Sequence, residues 1–135
     1  MVVSLGGSDR GLPLLHILGN RPGMLSFANV LLWLHANLFR REFLSVSALP
    51  FARRVGLIAL SIRVTGGDDT GDYGRLRRLD RGSQYEWELP EDDLRRLGLA
   101  VHRLGCVPEH GYDLFPVDQR GDAWVRLELE SNRHA

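Results

Sequence analysis

The chain has 135 residues, of which 44% are hydrophobic and 25% charged, proportions that are ordinary for one globular domain. Its formal net charge of zero argues against nucleic acid as the main partner, because phosphate binding normally requires a net basic surface. The single cysteine, Cys106, excludes an intrachain disulfide and a cysteine-built metal site. We expect one domain over residues 1–135, in the cytoplasm, because the N-terminal residues contain neither a basic leader nor an apolar signal core.

The charge is unevenly divided along the chain. Residues 1–65 contain seven arginines and two acids, a net charge of +5. Residues 66–135 contain ten arginines and fifteen acids, a net charge of −5. This asymmetry favours two halves that dock on one another, either within one chain or between chains.

The first predicted element is a buried strand over residues 12–18, a short apolar run that contains His16 and ends at a Gly-Asn turn. A helix follows over residues 24–41, the most apolar stretch of the chain. At 100° per residue, apolar side chains cover most of its circumference, which predicts a largely buried helix. One narrow polar stripe remains, formed by Ser26, Asn29, Asn37 and Arg40.

Two residues of this helix depart from the pattern. Trp33 lies within the polar stripe, where an exposed tryptophan is typical of an interface anchor. His35 lies on the opposite, apolar side. The most apolar stretch, residues 24–39, has 16 residues, fewer than the roughly 20 that span a membrane. It also contains Asn29, His35 and Asn37. We therefore expect a core helix and no membrane partner.

Four strands are predicted to follow this helix. Residues 43–49 alternate between apolar and polar side chains, which predicts a half-buried strand. Residues 55–65 are rich in β-branched side chains and predict a central strand. A glycine- and aspartate-rich loop follows over residues 66–74, and it lacks the ligand spacing of a calcium-binding loop. Residues 75–79 and 84–89 then form a predicted hairpin.

The hairpin places arginines opposite glutamates, which we expect to form cross-strand charge pairs. The arginine-rich arm could instead bind a phosphate or carboxylate through Arg77. A second, amphipathic helix begins at Pro90 and ends at Gly105. A closing hairpin over residues 112–117 and 123–130 completes the chain, and we expect residues 131–135 to be frayed.

The predicted fold is therefore α+β, with a mainly antiparallel sheet, two helices and the order β-α-β-β-β-β-α-β-β. Two successive βαβββ-like modules resemble the layout of the vicinal oxygen chelate enzymes, by topology alone. That resemblance implies histidine or glutamate metal ligands on the first and last strands of each module. The candidates at those places are His16, Glu86 or Glu88, and Glu128 or Glu130. No residue-level repeat relates the two halves of the sequence.

Other candidates for chemistry carry weak signals. A single histidine on an apolar helix face is most often a neutral core residue, although His35 could also act as a ligand or general base in a pocket. Cys106 has His102 and His110 four residues to either side, so a cysteine nucleophile is conceivable. No catalytic motif assigns a catalytic residue, and nothing indicates a metal or cofactor.

We favour a non-catalytic binding or protein-interaction domain that forms a homodimer or binds another protein. Trp33, Asn37 and Arg40 are the expected interface residues. The alternative is a small-ligand-binding protein or enzyme with a pocket between the first helix and the sheet. In that alternative, His16 and His35 line the pocket and Arg77 lies at its mouth.

Overall fold

A computed structural model of the chain describes residues 1–9, 12–54, 58–66, 73–79, 84–106, 112–115 and 124–129. Within those residues it contains nine strands, two helices of 16 residues each and a short 3₁₀ turn. Their order is β1 (Val2–Asp9), β2 (Leu12–Gly19), α1 (Arg21–Ala36), β3 (Phe43–Ser45), the 3₁₀ turn (Val46–Ala48), β4 (Arg53–Arg54), β5 (Ala59–Thr65), β6 (Arg75–Arg78), β7 (Gln84–Pro90), α2 (Glu91–Cys106), β8 (Tyr112–Phe115) and β9 (Trp124–Leu129).

The strands form two mixed sheets. One sheet has five strands in the order β4-β1-β2-β9-β8, and the other has four in the order β3-β5-β7-β6. A parallel pair lies at the centre of each sheet, β2 with β9 and β5 with β7. The α+β class predicted from the sequence is confirmed. The sheets are mixed and not mainly antiparallel as predicted, because each combines a parallel central pair with antiparallel neighbouring strands.

The two halves of the chain repeat one ββαββ unit. The first unit is β1-β2-α1-β3-β5, with β4 as an additional strand, and the second is β6-β7-α2-β8-β9. The units exchange hairpins, since the β1–β2 hairpin shares a sheet with β8–β9, and β6–β7 shares a sheet with β3–β5. Neither half therefore completes a sheet by itself.

The repeat extends to strand register. Ile17 of β2 pairs with Val3 on one side and Leu127 on the other. Trp87 of β7, 70 residues later, pairs with Leu76 and Ile62 at the equivalent places. The same shift of 70 residues relates the buried positions of the helices. Residues 23, 24, 27, 28, 31 and 34 of α1 correspond to 93, 94, 97, 98, 101 and 104 of α2.

The sequence analysis found no repeat because the matched positions share burial and seldom share identity. Phe27 corresponds to Leu97, for example, and Ala28 to Gly98, while all four are buried. One hydrophobic core contains buried residues from both sheets and both helices. Trp87 and Phe27 are its largest fully buried side chains.

Part of the uneven charge of the two halves is used inside the chain. Three described side-chain contacts join the halves, and each brings a histidine or arginine of residues 1–65 to a carboxylate of residues 66–135. The pairs are His16–Glu128 at 2.8 Å, His35–Glu91 at 3.8 Å and Arg63–Glu86 at 3.2 Å. Only Arg63 among these three basic residues is counted in the charge of the first half, so one contact within the chain uses the asymmetry directly.

Several predicted boundaries were wrong. Helix α1 begins earlier, at Arg21, because Asn20 caps it by accepting a hydrogen bond from the Gly23 N–H at 2.8 Å. It also ends earlier, at Ala36, and residues 37–40 form a turn. The predicted strand at 43–49 is divided into β3 and the 3₁₀ turn.

Two strands, β1 and β4, were not predicted. Part of β1 is glycine- and serine-rich, which weakens the apolar alternation of a strand, and β4 has only two residues. The hairpin of β6 and β7 is confirmed, with Arg75 opposite Glu88 and Arg77 opposite Glu86. The predictions for residues 55–57, 67–72 and 131–135 lie outside the described residues.

Gly74 offers a sharp test of the fold. Its φ is +68°, and a Cβ at this position would collide with the carbonyl oxygen of Glu88. We expect Gly74→Ala to lower the free energy of unfolding by at least about 2 kcal/mol. The alanine would have to adopt a left-handed backbone conformation, and its Cβ would also collide with the Glu88 carbonyl oxygen. Gly66→Ala is the matched control, since its Cβ would have nothing within 4 Å. Equal urea midpoints for the two variants would contradict this description.

Candidate protein-interaction surface

Helices α1 and α2 pack against each other in antiparallel orientation. Leu25 lies against Gly105, and Leu32 lies against Gly98, so two leucines seven residues apart fit two glycines seven residues apart. At the start of α1, the Arg21 Nε donates a hydrogen bond to the Gly105 carbonyl at 2.9 Å. A Cβ on Gly98 would lie 2.8 Å from the Leu32 Cδ2, which shows how closely the helices approach.

The outward side of this helix pair is the helix face, defined by Asn29, Trp33 and Ala36 of α1 and by Asp92, Leu99 and Arg103 of α2. All six are exposed. Trp33 is 50% exposed and Leu99 48% exposed, which is high for large apolar side chains. The α1 part of the face carries no charge, whereas the α2 part carries both signs. The structure thus places Trp33 on the exposed side that its helical angle predicted.

The turn after α1 continues this surface. The Asn37 Nδ2 donates to the Trp33 carbonyl at 2.8 Å, and the Asn37 carbonyl accepts from the Arg40 N–H at 2.9 Å. Phe39 is 79% exposed, and the Arg40 guanidinium lies 5.2 Å from its ring centroid. The three expected interface residues, Trp33, Asn37 and Arg40, therefore belong to one connected segment.

A second polar group lies on the five-stranded sheet. His16 alternates with the buried Leu15 and Ile17, so its side chain is on the face away from the core. Its Nε2 lies 2.8 Å from the Glu128 Oε2, and the Arg126 Nη2 lies 3.9 Å from the Glu128 Oε1. The side chains are 24% exposed for His16, 35% for Glu128 and 33% for Arg126.

The four-stranded sheet carries the equivalent pair at the repeat-related position. Glu86 corresponds to His16, and Arg63 corresponds to Glu128, so the carboxylate and its basic partner exchange places between the two sheets. The Arg63 Nε donates to the Glu86 Oε2 at 3.2 Å. Glu86 is buried, at 7% exposure. The alternation of apolar and polar residues along β7 had instead predicted an exposed side chain at this position.

The three residues proposed for a pocket have separate partners on different elements. His16 pairs with Glu128 on the outer face of the five-stranded sheet. His35, at the end of α1, lies 3.8 Å from Glu91. Arg77 of β6 donates to Glu88 in the four-stranded sheet at 2.8 Å. The structure shows no contact among His16, His35 and Arg77 themselves.

The ligand set implied by the vicinal oxygen chelate resemblance is only partly assembled. His16 and Glu128 are in contact on the five-stranded sheet. Glu86 and Glu88 lie on the four-stranded sheet, where they pair with Arg63 and Arg77. Glu130 lies outside the described residues. Among the residues that are described, no three His, Cys, Asp or Glu side chains are grouped to hold a metal ion.

Cys106, at the end of α2, is exposed, and its Sγ lies 3.7 Å from the His102 Nδ1. The two residues are one helical turn apart. Cys106 lies at the C-terminal end of α2, whereas nucleophilic cysteines are favoured at helix N-termini. His110, its other candidate partner, lies outside the described residues.

Sequence reasoning missed two features of the helix face. Leu99 had been expected only as part of an amphipathic helix, and it is exposed on the side away from the core. The glycines that receive Leu25 and Leu32 were also missed, although their spacing of seven residues is visible in the sequence. A search for small residues at heptad spacing would have found that signal.

Within the described parts of the chain, neither helix has the length and apolar content needed to cross a membrane. No protein-family model, no curated protein and no solved structure matches the chain. Function must therefore be argued from the surfaces of this molecule alone.

The fit of leucine to glycine in the helix pair can be measured by a double-mutant cycle. We expect Gly98→Ala to be destabilising by up to about 1 kcal/mol, because crowding of Leu32 by the added methyl group outweighs the roughly 1 kcal/mol that alanine gains over glycine inside a helix. In the Leu32→Ala background that crowding should largely disappear, giving a coupling of at least about 1 kcal/mol. Leu25→Ala, which removes the leucine at the other glycine, should give an additive result with Gly98→Ala. Strong coupling in both cycles would contradict this packing.

Proposed function

We propose that the protein is a non-catalytic protein-interaction domain that forms a homodimer through the helix face. The observation that carries the proposal is the half-exposed Trp33 on an uncharged part of that face. Tryptophan is among the side chains most enriched at the energetic centres of protein interfaces. Leu99 supplies a second large apolar side chain on the same side of the helix pair.

The exposed surface of Trp33 is large enough for its burial to contribute several kcal/mol to dimer formation. A tryptophan side chain has about 150–250 Å² of surface, so half of it is about 100 Å². At about 25 cal/mol per Å², burying that part contributes about 2.5 kcal/mol for each Trp33. A two-fold interface uses each residue twice, so Trp33 alone contributes about 5 kcal/mol towards the cost of association.

The charges on α2 favour a second copy as the occupant. Its first turn carries Glu91 and Asp92, and Arg103 lies in its last turn. If α2 packs antiparallel on α2 of a second copy, Asp92 of each chain lies opposite Arg103 of the partner subunit. The neutral part of α1 then lies against the same neutral part of the other copy, so no charge is buried without a partner.

The position of the two-fold axis follows from the same pairing. The two-fold axis lies midway between Asp92 and Arg103 along α2, which places it beside Gly98. Gly98 and Leu32 are in contact, so they lie at the same height along the helix pair. Trp33, the next residue of α1, would therefore lie next to Trp33 of the partner subunit. Charge and apolar content, which are independent properties, support the same axis.

Asn37 and Arg40 form the edge of this proposed interface. The Asn37 amide holds the turn onto the end of α1 through the Trp33 carbonyl. Arg40 is exposed, and its guanidinium lies over the exposed ring of Phe39, so this edge combines a charge with an apolar ring. Residues of this kind contribute more to excluding water from a central tryptophan than to affinity directly.

The first test of the dimer is the mass of the protein in solution. We expect the wild type to have twice the chain mass of 15.2 kDa by light scattering. Trp33→Glu should give the single-chain mass, because it places two carboxylates at the centre of the interface. Leu79→Glu is a matched control, since Leu79 is 51% exposed but lies at the end of β6. A wild type that has the single-chain mass at micromolar concentration would refute the dimer.

The second test is a charge exchange that checks the orientation. Arg103→Asp and Asp92→Arg should each weaken the dimer by about tenfold, because each places like charges opposite one another across the interface. The double variant, which exchanges the two charges, should recover most of the affinity. Dissociation constants from sedimentation would measure this. A double variant as weak as the sum of the single changes would exclude the antiparallel α2 arrangement.

A second candidate function is a small-ligand-binding protein or enzyme, and the contact between His16 and Glu128 supports it. With Arg126 beside them, the group offers hydrogen-bond donors and acceptors at a half-buried place on the sheet. Native mass spectrometry of freshly purified protein tests this candidate. A bound small molecule that is absent from His16→Ala would support it, and bare protein with no added mass would count against it.

A further inference from the structure

The outer face of the four-stranded sheet carries a row of charged and aromatic residues that crosses all four strands. Strand register places one residue of each strand side by side, in the order Phe43 (β3), Arg63 (β5), Glu88 (β7) and Arg75 (β6). Their neighbours along the strands, Leu44, Ile62, Trp87 and Leu76, are buried in the core, so these four residues lie on the opposite face. We call them the arginine row.

The arginines of this face are more exposed than its carboxylates. The Arg63 side chain is 51% exposed and Arg75 is also exposed, whereas the Glu88 side chain is only 22% exposed. Glu88 already has a partner outside the row, because the Arg77 Nη1 donates to its Oε1 at 2.8 Å. Among the described residues of the four strands, the face combines three arginines with two glutamates, Glu86 and Glu88. It is therefore net basic, and its exposed part more so.

Arg63 is held in place by two contacts. Its Nε donates to the Oε2 of the buried Glu86 at 3.2 Å, and its guanidinium carbon lies 5.5 Å from the ring centroid of Phe43. Neither contact is a hydrogen bond of the two terminal nitrogens, Nη1 and Nη2. A guanidinium fixed in this way loses less conformational entropy when its terminal nitrogens bind a carboxylate.

The equivalent row of the five-stranded sheet has a different character. At the places of Arg63, Glu88 and Arg75 it carries Glu128, Leu18 and Val2. Two of these residues are apolar and the third is a carboxylate. Because the same strand pairing forms there without an arginine in the row, the fold itself does not require the arginines of the four-stranded sheet.

The spacing of the arginine row matches one face of an α-helix. Neighbouring strands lie about 4.8 Å apart, so the row from Phe43 to Arg75 spans about 14 Å. Helix residues at positions i, i+3, i+7 and i+10 lie on one face, and at about 1.5 Å per residue they span about 15 Å. A helix lying across the strands would place one residue of that face over each residue of the row.

The charges of the row determine which helix would fit. Carboxylates at i+3 and i+10 would lie over Arg63 and Arg75, and an apolar residue at i would lie over Phe43, which is 37% exposed. Position i+7 would lie over Glu88, which disfavours an acid there. A continuous polyanion such as nucleic acid would have to pass over Glu88, so this face favours separate carboxylates.

We propose that the arginine row binds an amphipathic acidic helix of another protein, with an apolar residue at i and carboxylates at i+3 and i+10. Arginine and aromatic residues are enriched in protein interfaces, and the row supplies both. None of its residues belongs to the helix face. The dimer and this interaction can therefore fail independently.

The probe is a blocked, alanine-rich helical peptide of about 20 residues, titrated into ¹⁵N-labelled full-length protein. It carries Leu, Glu, Gln and Glu at i, i+3, i+7 and i+10. We expect the amide signals of Arg63, Glu88 and Arg75 to shift and the indole signal of Trp33 to remain unchanged. Shifts that are confined to other parts of the protein would overturn the proposal.

A control peptide of the same composition tests the helical spacing. Its second Glu is moved to i+8, about 140° around the helix from the first, so both cannot face the row. We expect it to bind at least about threefold more weakly, because one ion pair is lost. Equal affinities of the two peptides would contradict the proposed fit.

A pair of variants separates the arginine row from net charge. Arg75→Gln removes an exposed charge without altering a core residue, and we expect it to bind the probe at least about threefold more weakly. Arg95→Gln is the matched control, because it removes an exposed arginine of α2 and should bind as the wild type does. An equal loss in both variants would refute a site at the row.

A charge exchange tests the order of the contacts. Arg75→Glu should weaken binding of the probe at least about tenfold, because it places like charges opposite one another. A peptide with Lys at i+10 should recover the affinity for this variant, whereas a peptide with Lys at i+3 should not. Recovery with both peptides, or with neither, would exclude the proposed arrangement.

Two other occupants of the row would give different results. A single-stranded oligonucleotide that binds more tightly than the probe, and that Arg75→Glu weakens, would assign the row to nucleic acid. A lower mass of Arg75→Glu than of the wild type in light scattering would assign it to a second copy of this chain. We expect neither result, and either one would overturn the proposal.

Discussion

The exchange of hairpins between the two halves is the constraint on which the rest of this structure depends. Each sheet is closed by a parallel pair that takes one strand from either half, β2 with β9 and β5 with β7. A half alone would expose strand edges and the apolar faces of its hairpins. The exchange also brings a histidine or arginine of the first half to a carboxylate of the second in each sheet and between the helices.

The two halves share a backbone arrangement but present different surfaces. Trp33 on α1 corresponds to Arg103 on α2, and the exposed Asn29 corresponds to Leu99. The apolar Val2 on β1 corresponds to Arg75 on β6. Most buried positions of the repeat keep their apolar character, since both halves pack into one core; Asp93, which corresponds to Gly23, is the exception among the matched helix positions. Exposed positions have diverged in chemistry. Both surfaces for which we propose partners lie at such diverged positions.

Local periodicity was sufficient to predict α1, α2, the β6–β7 hairpin and the exposed side of Trp33, because these depend on neighbouring residues. The exchange of hairpins could not be predicted, since pairings such as Leu15 with Val125 join residues that share no local pattern. Burial of Glu86 was missed for a related reason. Its partner Arg63 comes from the other half of the chain, and the alternation of β7 indicates only an exposed face.

The central parallel pairs also determine when this fold can be completed during translation. Strand β2 emerges from the ribosome early, but its parallel neighbour β9 is among the last described residues of the chain. Until then, the β1–β2 hairpin lacks the strand that flanks β2, although β7 is already available to pair with β5. Long-range pairing of this kind slows folding and prolongs the exposure of apolar strands, so a nascent chain of this design would benefit from a holding chaperone.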